Sequence, residues 1–164
     1  LYGPDLRAAE RTFQQLHQVA GRCGRREEKG TVYLQTYDDS HPVINAVADY
    51  NEEEFYEIEL QDRQLHHMPP FGKLCAILIS GKDNDAIQHY CHELLRKCPR
   101  SDSLQLLGPI QAPLARLKNT FRWRFLIKYN KGFKVQEFIK FWLKLTNQPK
   151  NIKLVVDIDP NSFW

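Results

Sequence analysis

The chain has 164 residues, 42% of them hydrophobic, and a formal net charge of +3. That is enough apolar matter for one ordinary core, or for a small domain joined to a piece of something larger, and it excludes the disordered and fibrous classes. No apolar run reaches the roughly 18 residues of a membrane span, and no charged-then-apolar export leader opens the chain, so a cytoplasmic protein with no membrane role is expected. The chain starts at Leu1 without Met, which reads as a piece of a longer protein. Cys23, Cys75, Cys91 and Cys98 form no C-x-x-C pair and are too few for a disulfide scaffold, so they read as reduced thiols and no metal site is expected here.

The modest net charge hides an asymmetry. Between Asp49 and Asp62 there are seven acidic residues and no basic one, which a solvated helix face explains. From Leu114 to Lys153 there are eleven Lys or Arg against one acid, Glu137. That block is too one-sided for a solvated face and suggests a polyanionic partner.

In chain order, the first expected element is a helix beginning near Asp5 as N-cap, with Leu6, Ala9, Phe13, Leu16 and Ala20 on one stripe and Gly21 and Gly24 ending it. "GTVYLQTY", Gly30 to Tyr37, reads as a strand. Pro42 sits at an early helical position after "DDSH", predicting a short helix. Asn51 to about His66 is an amphipathic helix whose acids crowd the N-terminal turns, where they complement the helix dipole. "MPPFG", Met68 to Gly72, stops it and marks a domain boundary.

Beyond that boundary the pattern is regular. "LCAILIS", Leu74 to Ser80, is an apolar strand, and "DNDAIQHYCHELLRKC" is a capped helix with Ile87, Tyr90, Cys91, Leu94, Leu95 and Cys98 in register. "SLQLLGPI" is a second strand, "QAPLARLKNT" a connection, and "FRWRFLIKY" a third strand. A helix from about Gly132 to Leu145 and a strand from Ile152 to Ile158 complete the order βαββαβ, the ferredoxin-like arrangement.

Successive strand residues face opposite sides of a sheet. In "FRWRFLIKY", Phe121, Trp123, Phe125, Ile127 and Tyr129 point one way and Arg122, Arg124, Leu126 and Lys128 the other. The two helices cover one face, so the aromatics should enter the core and the cations should line the open face. An RNA-recognition module instead carries base-stacking aromatics there. We therefore expect contacts to the nucleic-acid backbone, with Arg116 and Lys118 adding to them from the loop. Asp157 and Asp159 in "VVDIDP" lack a third ligand for a metal and should cap a strand end and pair with nearby Lys or Arg.

One stretch carries a separate chemistry. Gln18 to Arg25, "QVAGRCGR", fits Q-x-x-G-R-x-G-R, with two arginines on a glycine-containing turn suited to gripping phosphate. The pattern resembles the sixth conserved motif of superfamily 2 helicases, in the second of their RecA-like lobes. "GTVYLQTYDDSHPVI", "FYEIELQDRQLHHMPPFGKL", "LLGPIQAPLARLKNTFRWRFLIKY" and "VVDIDPNSFW" resemble, in order and spacing, the C-terminal portion of the PriA family, the bacterial proteins that restart stalled replication forks.

That resemblance implies three regions: residues 1–50 as the end of the second RecA-like lobe, 51–70 as an acidic connecting helix and linker, and 71–164 as a ferredoxin-like DNA-binding domain. It implies an ATP-dependent DNA helicase, 3′ to 5′, in which Gln18 senses the γ-phosphate, Arg25 is the arginine finger, Arg22 supports it, and Gly21 and Gly24 allow the turn. A guanidinium placed on the charge that develops during hydrolysis accelerates the step by roughly a thousandfold or more. ATP and Mg²⁺ belong to the full-length protein, as does zinc held by residues outside this chain. No G-x-x-x-x-G-K-[ST] is present, so this chain alone should be inactive and hold no cofactor. The implied partners are branched and single-stranded DNA, the single-stranded DNA-binding protein through Gln136 and Lys134, and other primosome proteins. Two rivals stand beside this reading: a free-standing nucleic-acid-binding module and a protein-interaction domain for an acidic tail.

Overall fold

The computed structural model describes residues 7–22, 31–117 and 119–160, with side chains described at all of them except 113–117. The chain divides into two compact units, the first ending at Leu65 and the second beginning at His66.

The first unit is helical: α1 (Ala8–Arg22), α2 (Pro42–Ala48) and α3 (Glu52–Leu65). Its core is small, made by Phe13, Val43, Ala46, Val47 and Phe55, with the Phe13 and Phe55 rings stacked at 4.2 Å. Local chemistry sets the helix starts. The His41 imidazole accepts the Val43 N–H ahead of Pro42 at the first helical position. Asn51 accepts the Glu54 N–H at 3.1 Å and its amide donates to the Glu54 carboxylate at 2.9 Å, a reciprocal cap that begins α3. Arg63 then ties α3 to itself and to α1, bonding Glu59 at 2.9 Å and lying 3.9 Å from Glu10.

α1 runs to Arg22, between Gly21 and Gly24, and one expectation is corrected. The expected strand from Gly30 to Tyr37 is not formed over 31–37, where Tyr33 and Tyr37 are fully exposed. A strand's backbone groups need a paired neighbour, and among the described residues the first unit contains no strand to supply one.

The second unit is the expected βαββαβ: β1 (Lys73–Gly81), α4 (Asn84–Arg96), β2 (Leu104–Leu117), β3 (Thr120–Tyr129), α5 (Val135–Lys144) and β4 (Ile152–Ile158). The sheet order is β2-β3-β1-β4 with every neighbouring pair antiparallel, which is ferredoxin-like. One sheet face packs Cys75, Ile77, Ile79, Phe125 and Ile127 against Ile87, Tyr90, Cys91 and Leu94 of α4 and Val135, Ile139 and Trp142 of α5. Polar atoms in this core are paired: the Trp142 indole donates to the Leu94 carbonyl at 2.9 Å, and the Tyr90 and Thr146 hydroxyls meet at 3.4 Å.

β2 is the correction in this unit. "QAPLARLKNT" is not a loop, because the strand continues through it to Leu117 and turns at Asn119, which adopts φ 62°. Pro109 and Pro113 disguise it in the sequence. An edge strand tolerates residues that donate no N–H, and the register slips between Leu107 and Ile110 and again between Gln111 and Arg116. Gly108 makes the first slip possible: it adopts φ +100°, and a Cβ there would lie 2.8 Å from the Arg124 carbonyl oxygen.

The thiols of Cys75 and Cys91 are pushed up to about 12, both chiefly by burial and Cys75 in part by the Asp157 and Asp159 carboxylates. The unfolded thiol titrates near 8.5. Above that pH the unfolded state binds fewer protons than the native one, so stability is lost as pH rises from about 8.5 towards 12. Denaturant titrations from pH 8 to 11 should show the wild-type unfolding free energy falling by about 1.4 kcal/mol per pH unit per thiol more than that of a Cys75→Ala/Cys91→Ala variant. Equal pH slopes in the two proteins would show that the thiols ionise in the native state.

Candidate nucleic-acid interface

Register places the β3 cations. Phe125, Ile127 and Tyr129 are buried beneath the helices with Phe121 and Trp123 packed beside them, so Arg122, Arg124, Leu126 and Lys128 emerge on the opposite face, as their alternation requires. The cross-strand partners define that face in rows. Arg122 lies opposite Ser80, which on its other side faces Lys153 of β4. Arg124 lies between Ile110 and Leu78, with Val155 beyond; Leu126 lies between Leu107 and Ala76, with Asp157 beyond; Lys128 lies between Gln105 and Leu74.

The cations are not equivalent. Lys153 is exposed, whereas Arg122, Arg124 and Lys128 are half-buried. Burial lowers the Arg124 pKa from its ordinary value, yet a guanidinium remains charged at any working pH. The Lys128 ammonium donates to the His66 carbonyl at 3.0 Å, so it spends one donor on its own chain. It borders a cavity of about 340 Å³ lined by His66, His67, Asp102, Ser103, Gln105 and Asn130 among others. Asp159 follows β4 with φ 53° and pairs with Lys73 at 2.8 Å, while Asp157 stays on the sheet's outer face. Among the described residues, no three His, Cys, Asp or Glu side chains are grouped to hold a metal.

The other sequence-predicted residues lie elsewhere. Arg116 is in β2 opposite Phe121, with its side chain not described, and Lys118 lies outside the described residues. Lys134 precedes α5 and sits 3.3 Å from Glu137, with Gln136 exposed in the following turn. Both are on the helical side of the sheet, away from Arg122 and Arg124. In the first unit, Gln18 and Arg22 are exposed on α1 one turn apart, while Gly24 and Arg25 lie outside the described residues. Among the described residues, no helix is long and apolar enough to cross a membrane.

A family model for the primosomal protein N C-terminal domain matches residues 64–161. The chain belongs to this family. Proteins named replication restart protein PriA match nearly all of it: that of Rickettsia conorii is 41% identical over 160 residues, that of a Synechocystis strain 39% over 170, and that of Bacillus subtilis 33% over 167. These alignments cover 97–98% of this chain but 24%, 19% and 20% of the relatives. The chain thus spans a quarter or less of the PriA proteins it resembles.

Two features escaped the sequence. Lys153 joins Arg122 only because β4 pairs with β1, a long-range pairing that alternation within "IKLVVDI" cannot supply. Gly21, the penultimate residue of α1, also sits at a close approach: a Cβ there would lie 2.9 Å from the Tyr50 hydroxyl. Tyr50 holds that place in a left-handed conformation, φ 56°, with its ring 4.3 Å from the His17 ring. Only the far end of the exposed Tyr50 side chain has to give way, so Gly21→Ala should raise the melting temperature by alanine's better helix propensity, worth about 1 kcal/mol. A lower melting temperature, restored by adding Tyr50→Phe, would show that Tyr50 is held in place.

Proposed function

We propose that the second unit of this PriA-family chain holds DNA on the outer face of its sheet, within a replication-restart DNA helicase to which the first unit contributes part of the ATP-hydrolysis site. The observation that carries this reading is the register that brings Arg122, Arg124 and Lys153 together on one face with Lys128 below them. Cations spread over a sheet address phosphates rather than base edges, so the contact is insensitive to sequence and suits branched and single-stranded DNA. Lys118 adds to it, whereas Arg116, opposite Phe121, takes a register position on the helical side of the sheet.

The motor role belongs to Gln18, Arg22 and Arg25. Gln18 and Arg22 are both exposed one turn apart, which fits contact with ATP and Mg²⁺ presented by another part of the whole protein. Hydrolysis then depends on closure of the two parts, and closure moves the enzyme 3′ to 5′ along DNA. Zinc is held by residues of the whole protein outside this chain. The acidic tail of the single-stranded DNA-binding protein meets Lys134 and Gln136, exchanging the Lys134–Glu137 pair for its own carboxylates. Other primosome proteins assemble on the same protein in the cytoplasm.

Salt titration tests the DNA face. For single-stranded DNA, the slope of log affinity against log salt should become shallower by about 1.4 in Arg122→Gln/Arg124→Gln, about 0.7 per lost phosphate contact. Wild-type slope and affinity in that variant would remove the sheet face from the reading. The motor role is tested in the whole protein, where Arg25→Ala should cut DNA-stimulated ATP turnover by about a thousandfold with DNA affinity kept. The 164-residue chain alone should turn over no ATP; turnover by it, abolished by Arg25→Ala, would overturn the divided site.

A further inference from the structure

Cations are only half of what the outer sheet face offers. Interleaved with them is an aliphatic patch: Ile110 is 51% exposed, Val155 42% and Leu107 37%, with Leu78 and Leu126 half-buried between them. Strand spacing of about 4.8 Å puts Ile110 and Val155 roughly 14 Å apart across the row that also holds Arg124 and Leu78. Arg122 lies two residues along β3 from Arg124, about 7 Å, and Lys153 lies two strands across from Arg122, about 10 Å. The cations therefore border the patch along one side and penetrate it at Arg124. Asp157, the acid of these rows, stands at the far corner beside Ala76.

We infer that this patch receives the unpaired bases of a DNA strand whose phosphates lie along Arg122, Arg124 and Lys153, so that the face selects single-stranded over fully paired DNA; the inference rests on the DNA reading above. A duplex resting on a flat sheet offers it phosphates and sugars, because its base faces are stacked inside, and the exposed aliphatic surface would stay unfilled. A single strand can turn its bases onto that surface while its backbone keeps the cations. Asp157 repels a phosphate at the far corner, which directs the backbone to the Arg122–Lys153 side and the bases towards Ile110, Leu78 and Val155. Each base buries aliphatic surface without base-edge hydrogen bonds, so the contact tolerates any sequence. Among the described residues, no aromatic ring stands on the rows of this face, which separates it from modules that stack bases on rings.

The experiment uses the 164-residue chain with labelled single-stranded and blunt duplex oligonucleotides, in wild type, Ile110→Thr, Val155→Thr and Arg122→Gln. The two threonine changes fall on exposed strand positions and keep β-branching, and circular dichroism melts confirm the fold. Single-strand affinity should fall roughly fivefold for each aliphatic change with the salt slope unaltered, while duplex affinity stays as in wild type. Arg122→Gln should weaken both and flatten the slope. Equal losses on the two DNAs would show that the patch does not distinguish them, and none on either that protein or solvent covers it; either result would overturn the inference while leaving salt-dependent DNA binding in place. Failure of the wild type to bind either DNA would overturn the DNA reading and this inference with it.

Discussion

Burial of Phe125 and Ile127 beneath α4 and α5 is the constraint from which the rest of the second unit follows. Both side chains are fully buried, and the Phe125 ring meets Trp142 edge-on at 5.8 Å. Each is worth about 1.5–3 kcal/mol of burial. A slip of one residue in β3 would exchange them for Arg124 and Leu126 and bring a guanidinium into an apolar core, at a cost of several kcal/mol more. The aromatic positions therefore determine where the cations stand. The same pairing that seats Ile127 against Cys75 carries Arg122 to Ser80 and, through β1, to Lys153.

The resulting surface divides labour between the two sides of one sheet. The helical side holds the apolar mass, with its polar atoms paired within the core, as the Trp142 indole and the Tyr90 hydroxyl illustrate. The outer side is left amphipathic, cationic along one edge and aliphatic in the middle. In the register, Asp157 lies one row from Arg124 and two rows from Arg122 and Lys153. Lys128 also has a structural task, since it donates to the His66 carbonyl at the N-terminal approach to β1.

Much of this was legible before any coordinates. The βαββαβ order, the inward aromatics of β3 and the outward Arg122, Arg124 and Lys128 follow from alternation and from helix starts such as Asp83, whose carboxylate accepts the Asp85 and Ala86 N–H groups. Strand β2 was shortened in the sequence reading because prolines look like loop residues, and only its place at the sheet edge excuses them. The stretch after Gly30 was read as a strand because Val32, Tyr33 and Leu34 have strand propensity, which is insufficient where the surrounding unit has no strand to pair with them.

By itself, the sequence determined what is local: which faces are apolar, where helices are capped, that Gln18 to Arg25 follows Q-x-x-G-R-x-G-R, and that the charge from Leu114 to Lys153 is one-sided. Tertiary structure alone decided which distant residues meet. Lys153 in one row with Arg122, Ile110 and Val155 in one row with Arg124, and Tyr50 against Gly21 are juxtapositions of segments far apart in the chain. The reason is physical. Periodicity reports the direction of a side chain from its own backbone, while neighbours across a sheet or between helices are set by packing of the whole unit, which no local pattern encodes.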